Sequence, residues 1–189
     1  YDAPMNRHTS PQLDAFALAI RADVDVKVAA QKLKAKFLGS CQSLLHGDLH
    51  SGSVMSSEAG TNFVIDPEFA FYGPMGFDTG AFLANLFLAY FSQKGHGAGR
   101  DDYAAWLLEQ TALFYSSFAA EFVELWNSAS RKRSAGEAFL PGPFPSDSAE
   151  LKAGQEEFMR ALWKDTVGFA GMKMTRRIVG IAHVADLDD

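Results

Sequence analysis

Cysteine is almost missing from this chain: Cys41 is the only one in 189 residues. A lone thiol excludes an internal disulfide and a multi-cysteine zinc site, and it fits a reducing compartment, with the cytoplasm as the default expectation. An excess of basic charge is missing too. Seventeen Lys and Arg stand against 23 Asp and Glu, a formal net charge of −6, which argues against a broad face for nucleic acid or an anionic membrane. Any phosphate must then be handled locally. The longest apolar run, Gly80 to Phe91, is interrupted by Asn85. It falls short of the ~20 residues a bilayer span needs, and it reads as a buried helix. The N-terminus lacks the charged, apolar and small-residue succession of a secretory signal. It opens at Tyr1, which suggests a processed chain or one cut from something longer. Repeats and low-complexity tracts are absent. What remains, 48% hydrophobic and 21% charged residues with 16 Gly and 7 Pro, is the composition of a folded globular protein, and the length suits about one domain of ~100–200 residues.

Along the chain, Ser10 before Pro11 reads as a helix start, serine capping and proline at the first helical position. Leu13, Phe16 and Ile20 form the apolar stripe of that helix. After a polar turn at Asp23 and Asp25, the positions Val26, Ala29, Ala30, Leu33 and Phe37 recur at helical spacing, and Gly39 ends the pattern. From Leu44 the pattern shortens. Val54-Met55 and Phe63-Val64-Ile65, joined by the Gly60-containing turn Glu58 to Asn62, predict a β-hairpin. A glycine-rich loop, Tyr72 to Gly76, follows. Helices are then expected over Phe77–Gln93, Asp101–Ser130, Ser148–Asp165 and about Thr166–Val184. Phe16, Phe82, Phe87, Trp106, Phe114, Phe118 and Phe122 are read as core. The predicted architecture is α+β, a mostly helical body around one small hairpin.

Chemistry concentrates at the two ends of that hairpin. His46, Asp48 and His50 could suggest a metal hydrolase, although the zinc signatures of that kind need a His pair carried on a helix, where this chain reads as a polar loop, or an added distant ligand set that it does not show. A plain capped turn is the other reading. Phosphoryl transfer asks for more: a carboxylate to orient and deprotonate an attacking hydroxyl, a neighbour that helps hold metal, and a further carboxylate that bridges metal to the phosphates. Asp48, Ser53 and Asp66 stand in that order, with Asp48 and Asp66 bracketing the hairpin. The glycines at 95, 97 and 99 are no phosphate cradle, because no strand precedes them and no G-K-[ST] ending follows.

The stretch His46 to Ser53 resembles the H-x-D-x-x-x-x-N catalytic loop of protein-kinase-like enzymes, with Ser53 in the asparagine position. Asp66-Pro67-Glu68 resembles the metal-binding D-F-G segment in a D-x-E form. Glycine after the histidine is typical of the aminoglycoside phosphotransferase branch. HGDLHSGSV, VIDPEFAFYGPMGFDTGAFLANLFLAYF and TRRIVGIAHVADL are similar, more narrowly, to the methylthioribose kinase family. The resemblance implies ATP-dependent phosphorylation of 5-methylthioribose to its 1-phosphate in methionine salvage, by a cytoplasmic homodimer. It implies Asp48 as the base at the acceptor hydroxyl, and Asp66 and Glu68 as ligands of Mg²⁺. Ser53 falls on the same cofactor side. Arg176 and Arg177 match the family's substrate-binding pair, whose guanidinium forks suit sugar hydroxyls and phosphate charge. Asp78 would cap the helix after it and brace the catalytic loop. His46 and His50 would shape that loop, with His50 near phosphate, and His183 is read as a packing or surface histidine.

Such kinases open with a β-rich lobe that carries a glycine-rich loop over ATP and a phosphate-pairing lysine. Neither G-x-G-x-x-G nor a V-A-I-K-like strand precedes Asp48. Residues 1–189 are therefore expected to form a C-terminal catalytic and substrate-binding lobe, with the ATP-binding lobe absent from this chain. Two alternatives share these residues. One is a kinase of another hydroxyl compound, such as an aminoglycoside, choline or a different sugar; the other is an inactive lobe kept for binding, against which the presence of Asp48, Asp66 and Glu68 speaks.

Overall fold

The computed structural model describes residues 6–128 and 143–181. Among the described residues five α-helices carry the body: α1 (Asp14–Ala22), α2 (Val24–Gly39), α3 (Gly76–Ser92), α4 (Asp101–Asn127) and α5 (Ala149–Val179). Four three-residue strands lie between α2 and α3: β1 (Ser43–Leu45), β2 (Val54–Ser56), β3 (Asn62–Val64) and β4 (Phe71–Gly73). The α+β expectation holds. So does the hairpin: β2 and β3 pair antiparallel with Met55 opposite Phe63, around a turn whose Gly60 has φ +81°.

Where the structure departs from expectation, the reason is local. Ser10 does not cap α1. Its hydroxyl donates to the Asp14 carboxylate at 3.1 Å, residues 10–13 form a turn, and the helix starts at Asp14. Within α1 the inward residue is Ala17, leaving Phe16 67% exposed. Trp106 is also on the surface, stacked on Tyr103 with centroids 5.4 Å apart, while Leu107 and Thr111 of α4 turn inward. Tyr72 and Gly73, read as loop, belong to β4, which pairs antiparallel with β1, Leu44 opposite Tyr72.

The two helices expected to meet at Asp165-Thr166 are one 31-residue helix. Both polar side chains are buried, yet neither interrupts the helix, because each has a partner. The Asp165 carboxylate accepts from Lys36 Nζ of α2 at 2.7 Å. The Thr166 hydroxyl shares a 2.8 Å hydrogen bond with Thr79 of α3 and donates to the Leu162 carbonyl. Its N-terminus is capped by Ser148, whose Oγ accepts from the Leu151 amide. α5 ends at Val179 with Gly180 beyond it, short of the expected Val184, and α4 ends at Asn127, short of the expected Ser130; residues 182–187 of the TRRIVGIAHVADL segment, with His183, lie outside the described residues.

The central contact is α3 on α5. Gly76 and Gly80, one turn apart, let the helices approach so closely that a Cβ at Gly80 would stand 2.6 Å from the Thr166 carbonyl oxygen. Leu83, Ala84 and Ala170 form the buried centre, with Phe87 and Phe114 packed against it. Phe37 of α2, Phe71 of β4, Phe77 of α3 and Phe169 of α5 join as a chain of rings 5.0 to 5.9 Å apart. This aromatic cluster ties the strands to the helices. The catalytic-type loop begins at His46, directly after β1 ends at Leu45.

Candidate active site

The loop from His46 to Ser53 leaves β1, and its shape is fixed by its own backbone. Gly47 has φ +86°, a left-handed conformation that costs an L-residue steric strain. A Cβ there would also overlap the Phe69 carbonyl oxygen. The amides of His46 and Gly47 then point together at the buried Asp78 carboxylate: His46 N donates to Oδ2 at 2.6 Å and Gly47 N to Oδ1 at 3.1 Å. Burial pushes the Asp78 carboxyl above its ordinary range, while those amide donors and the positive charge of Lys173 pull the other way. Asp78 thus holds two successive amides of the loop. It does not cap α3, whose N-cap is Met75 without a side-chain cap.

His46 stitches the loop to the far end of the hairpin. Its Nε2 pairs with the Ile65 carbonyl at 2.8 Å, and Nδ1 accepts from the Asp48 amide at 3.3 Å. Together these bonds call for the tautomer protonated at Nε2. A second stitch runs from the Ile65 amide to the Ser53 carbonyl at 2.9 Å. Asp66, the next residue, is therefore held beside the loop that carries Asp48, as the bracketing of the hairpin predicts. Asp66 has φ +64°, an uncommon conformation for a residue other than glycine and one that clusters at functional sites.

Asp48 is 40% exposed in its side chain. His50 Nε2 lies 3.7 Å from its Oδ2, and Lys173 Nζ of α5 lies 3.6 Å from its Oδ1. The buried Ser53 hydroxyl donates to the Asp48 carbonyl at 3.1 Å and closes the loop. Asp66 and Glu68 are exposed, and among the described residues no hydrogen bond or ion pair engages either carboxylate. No group of three or more His, Cys, Asp or Glu side chains converges as a closed metal cage among the described residues. Two free carboxylates in an open loop nevertheless suit Mg²⁺, which takes one or two protein carboxylates and completes its shell with phosphates and water. Arg176 and Arg177 lie on the last turns of α5, one turn beyond Lys173. Arg176 also lines a groove between α2 and α5 with Lys34, Met172 and Thr175.

Lys173 is the residue that sequence reasoning missed. Its ammonium stands 4.9 Å from the centroid of the Phe77 ring, and its side chain is only 15% exposed. Burial lowers its pKa, the Asp48 charge opposes that, and Arg176 and Arg177 add to it. The signal was present as helical spacing: Lys173, Arg176 and Arg177 stand at i, i+3 and i+4.

A loop with an acceptor-ready carboxylate, a neighbouring pair of free carboxylates and a basic helix end has the parts of a phosphoryl-transfer site. Residues 2–121 match the model of a phosphotransferase enzyme family. The chain is 50% identical over 189 residues to methylthioribose kinase 1 of Oryza sativa subsp. japonica, covering 98% of this chain and 43% of the relative. It is 44% identical to methylthioribose kinase of Escherichia coli O45:K1, over 99% of this chain and 44% of that protein. Against methylthioribose kinase of Bacillus pumilus the identity is 39%, over 94% and 40%. The chain thus spans less than half the length of these relatives. With its family model covering more than half of its residues, this chain belongs to the phosphotransferase enzyme family.

Proposed function

We propose that residues 1–189 form the C-terminal catalytic and acceptor-binding lobe of a kinase that transfers the γ-phosphoryl group of ATP to 5-methylthioribose, giving the 1-phosphate. The observation that carries this reading is the braced loop. Asp78 fixes two successive amides of the loop, His46 and Ser53 tie it to the segment entering Asp66, and Asp48 is left with a half-exposed carboxylate. The relatives' shared name supports the sugar, and the share of their length left unmatched supports a separate ATP-cradling lobe.

In this reading Asp48 orients the anomeric hydroxyl and accepts its proton as the oxygen forms a bond to the γ-phosphorus and ADP leaves. Asp66 and Glu68 would hold Mg²⁺, with Ser53 on the same side; the ion supplies charge that offsets the phosphate oxygens. Arg176 and Arg177 bind the sugar and the developing phosphate charge through their donor forks. His50, 3.7 Å from Asp48, stands beside the reacting groups. The same reading assigns the enzyme to methionine salvage in the cytoplasm, as a homodimer.

The test is product identity. The protein carrying this chain together with its upstream coding sequence is incubated with ATP, Mg²⁺ and one of several alcohols, and the phosphorus spectrum is recorded. A sugar 1-phosphate from 5-methylthioribose, in preference to choline, an aminoglycoside or other sugars, is the expected result. Preference for one of the others would keep the chemistry and discard the acceptor.

A further inference from the structure

We propose that Lys173 is a positioning residue for the acceptor-side carboxylate: its ammonium, held on α5, fixes Asp48 in the orientation that meets the acceptor hydroxyl. The inference rests on the reading of Asp48 as the group that takes the hydroxyl proton. Asp48 lies on a loop and its carboxylate is 40% exposed, so its side-chain torsions would otherwise be restrained chiefly by His50 at 3.7 Å. Lys173 supplies what the loop lacks. It projects from a 31-residue helix packed closely on α3, its Nζ reaches within 3.6 Å of Asp48 Oδ1, and the Phe77 ring 4.9 Å away gives that Nζ a second favourable neighbour.

The position is an expensive one for a cation. The side chain is 15% exposed, burial lowers its pKa, and Arg176 and Arg177 on the same helix lower it further. Asp48 is the partner that opposes this shift first, and the buried Asp78 also feels the lysine charge. A side chain serving only to fill space against Phe77 would be apolar, because a dehydrated cation beside two arginines subtracts stability. The geometry is that of a charge held for its effect on Asp48.

The experiment compares Lys173→Met, Lys173→Arg and Asp48→Asn in the protein with its upstream sequence restored. Methionine keeps a stem that can lie on Phe77 and removes the charge. Expected for Lys173→Met is a fall in kcat of about 10- to 100-fold with KM for ATP unchanged, and recovery of most of the loss in Lys173→Arg. Wild-type kcat should also decline on the alkaline side at a pH below the ordinary lysine value of 10.5, as Lys173 loses the proton that Asp48 helps it keep. Arginine, which holds its charge, should abolish that decline. A Lys173→Met enzyme that melts earlier but turns over normally once folded would overturn the proposal and leave the Asp48 reading intact. Full activity in Asp48→Asn would remove that reading and this one with it. If Lys173→Met fails to fold, an arginine variant with an unchanged alkaline limb would overturn the proposal.

Discussion

Gly47 combines a φ of +86° with a neighbouring carbonyl, that of Phe69, where a Cβ would lie. Gly47→Ala therefore incurs both the left-handed penalty and a clash, about 2–5 kcal/mol together, and a lower melting temperature should accompany loss of activity because Asp48 is the next residue. Asp78 acts through the same loop. Asp78→Asn replaces one of its two acceptor oxygens with a donor that faces a backbone amide, and leaving that buried amide unpaired costs about 1–3 kcal/mol. The variant also has a pH signature. Burial raises the Asp78 carboxyl above its ordinary value of 3.8, so the folded chain holds that proton to a higher pH than the unfolded chain. Its ionisation then subtracts stability as pH rises from 3.8 through the raised value. Asparagine has no such proton, and melting curves of the two proteins across the acid range should differ in that slope.

At the scale of elements, the site depends on how closely α3 and α5 pack, since α3 carries Asp78 and α5 carries Lys173 and the arginines. Gly80→Ala would place a methyl 2.6 Å from the Thr166 carbonyl and 2.9 Å from the Ala170 amide. Overpacking of this kind costs about 1–3 kcal/mol, so the denaturation midpoint should fall, and the alanine at this turn should weaken the Lys173–Asp48 approach as well. Local signals made α2, α3, α4 and the β2–β3 hairpin legible in the sequence, through spacing and a glycine turn. They failed where long-range partners decide. Asp165-Thr166 looks like a helix boundary until Lys36, 129 positions away, and Thr79 supply their hydrogen bonds. Tyr72 and Gly73 look like loop because a three-residue strand has too little pattern to read, and only its pairing with β1 defines it. The candidate site divides in the same way. His46, Asp48, Ser53, Asp66 and Asp78 could be found because the loop chemistry is written in consecutive residues. Lys173 was legible only as a basic residue at helical spacing from Arg176 and Arg177, because its pairing with Asp48 comes from a loop more than 120 positions earlier in the chain.

Across the described residues, packed helices form the base and the short strands carry the polar loop from His46 to Ser53. No helix among the described residues is long and apolar enough to cross a membrane. Phosphoryl transfer needs the acceptor side, which the braced loop and the basic end of α5 supply in our reading, and a nucleotide side, which we assign to sequence upstream. Kinetics of Asp48→Asn in the extended protein test this division most directly, with nucleotide affinity measured beside turnover. Loss of the base should lower kcat for 5-methylthioribose by about 10²- to 10⁴-fold while nucleotide affinity stays at the wild-type level. Turnover that survives the substitution, or nucleotide binding that falls in step with it, would contradict the role of Asp48.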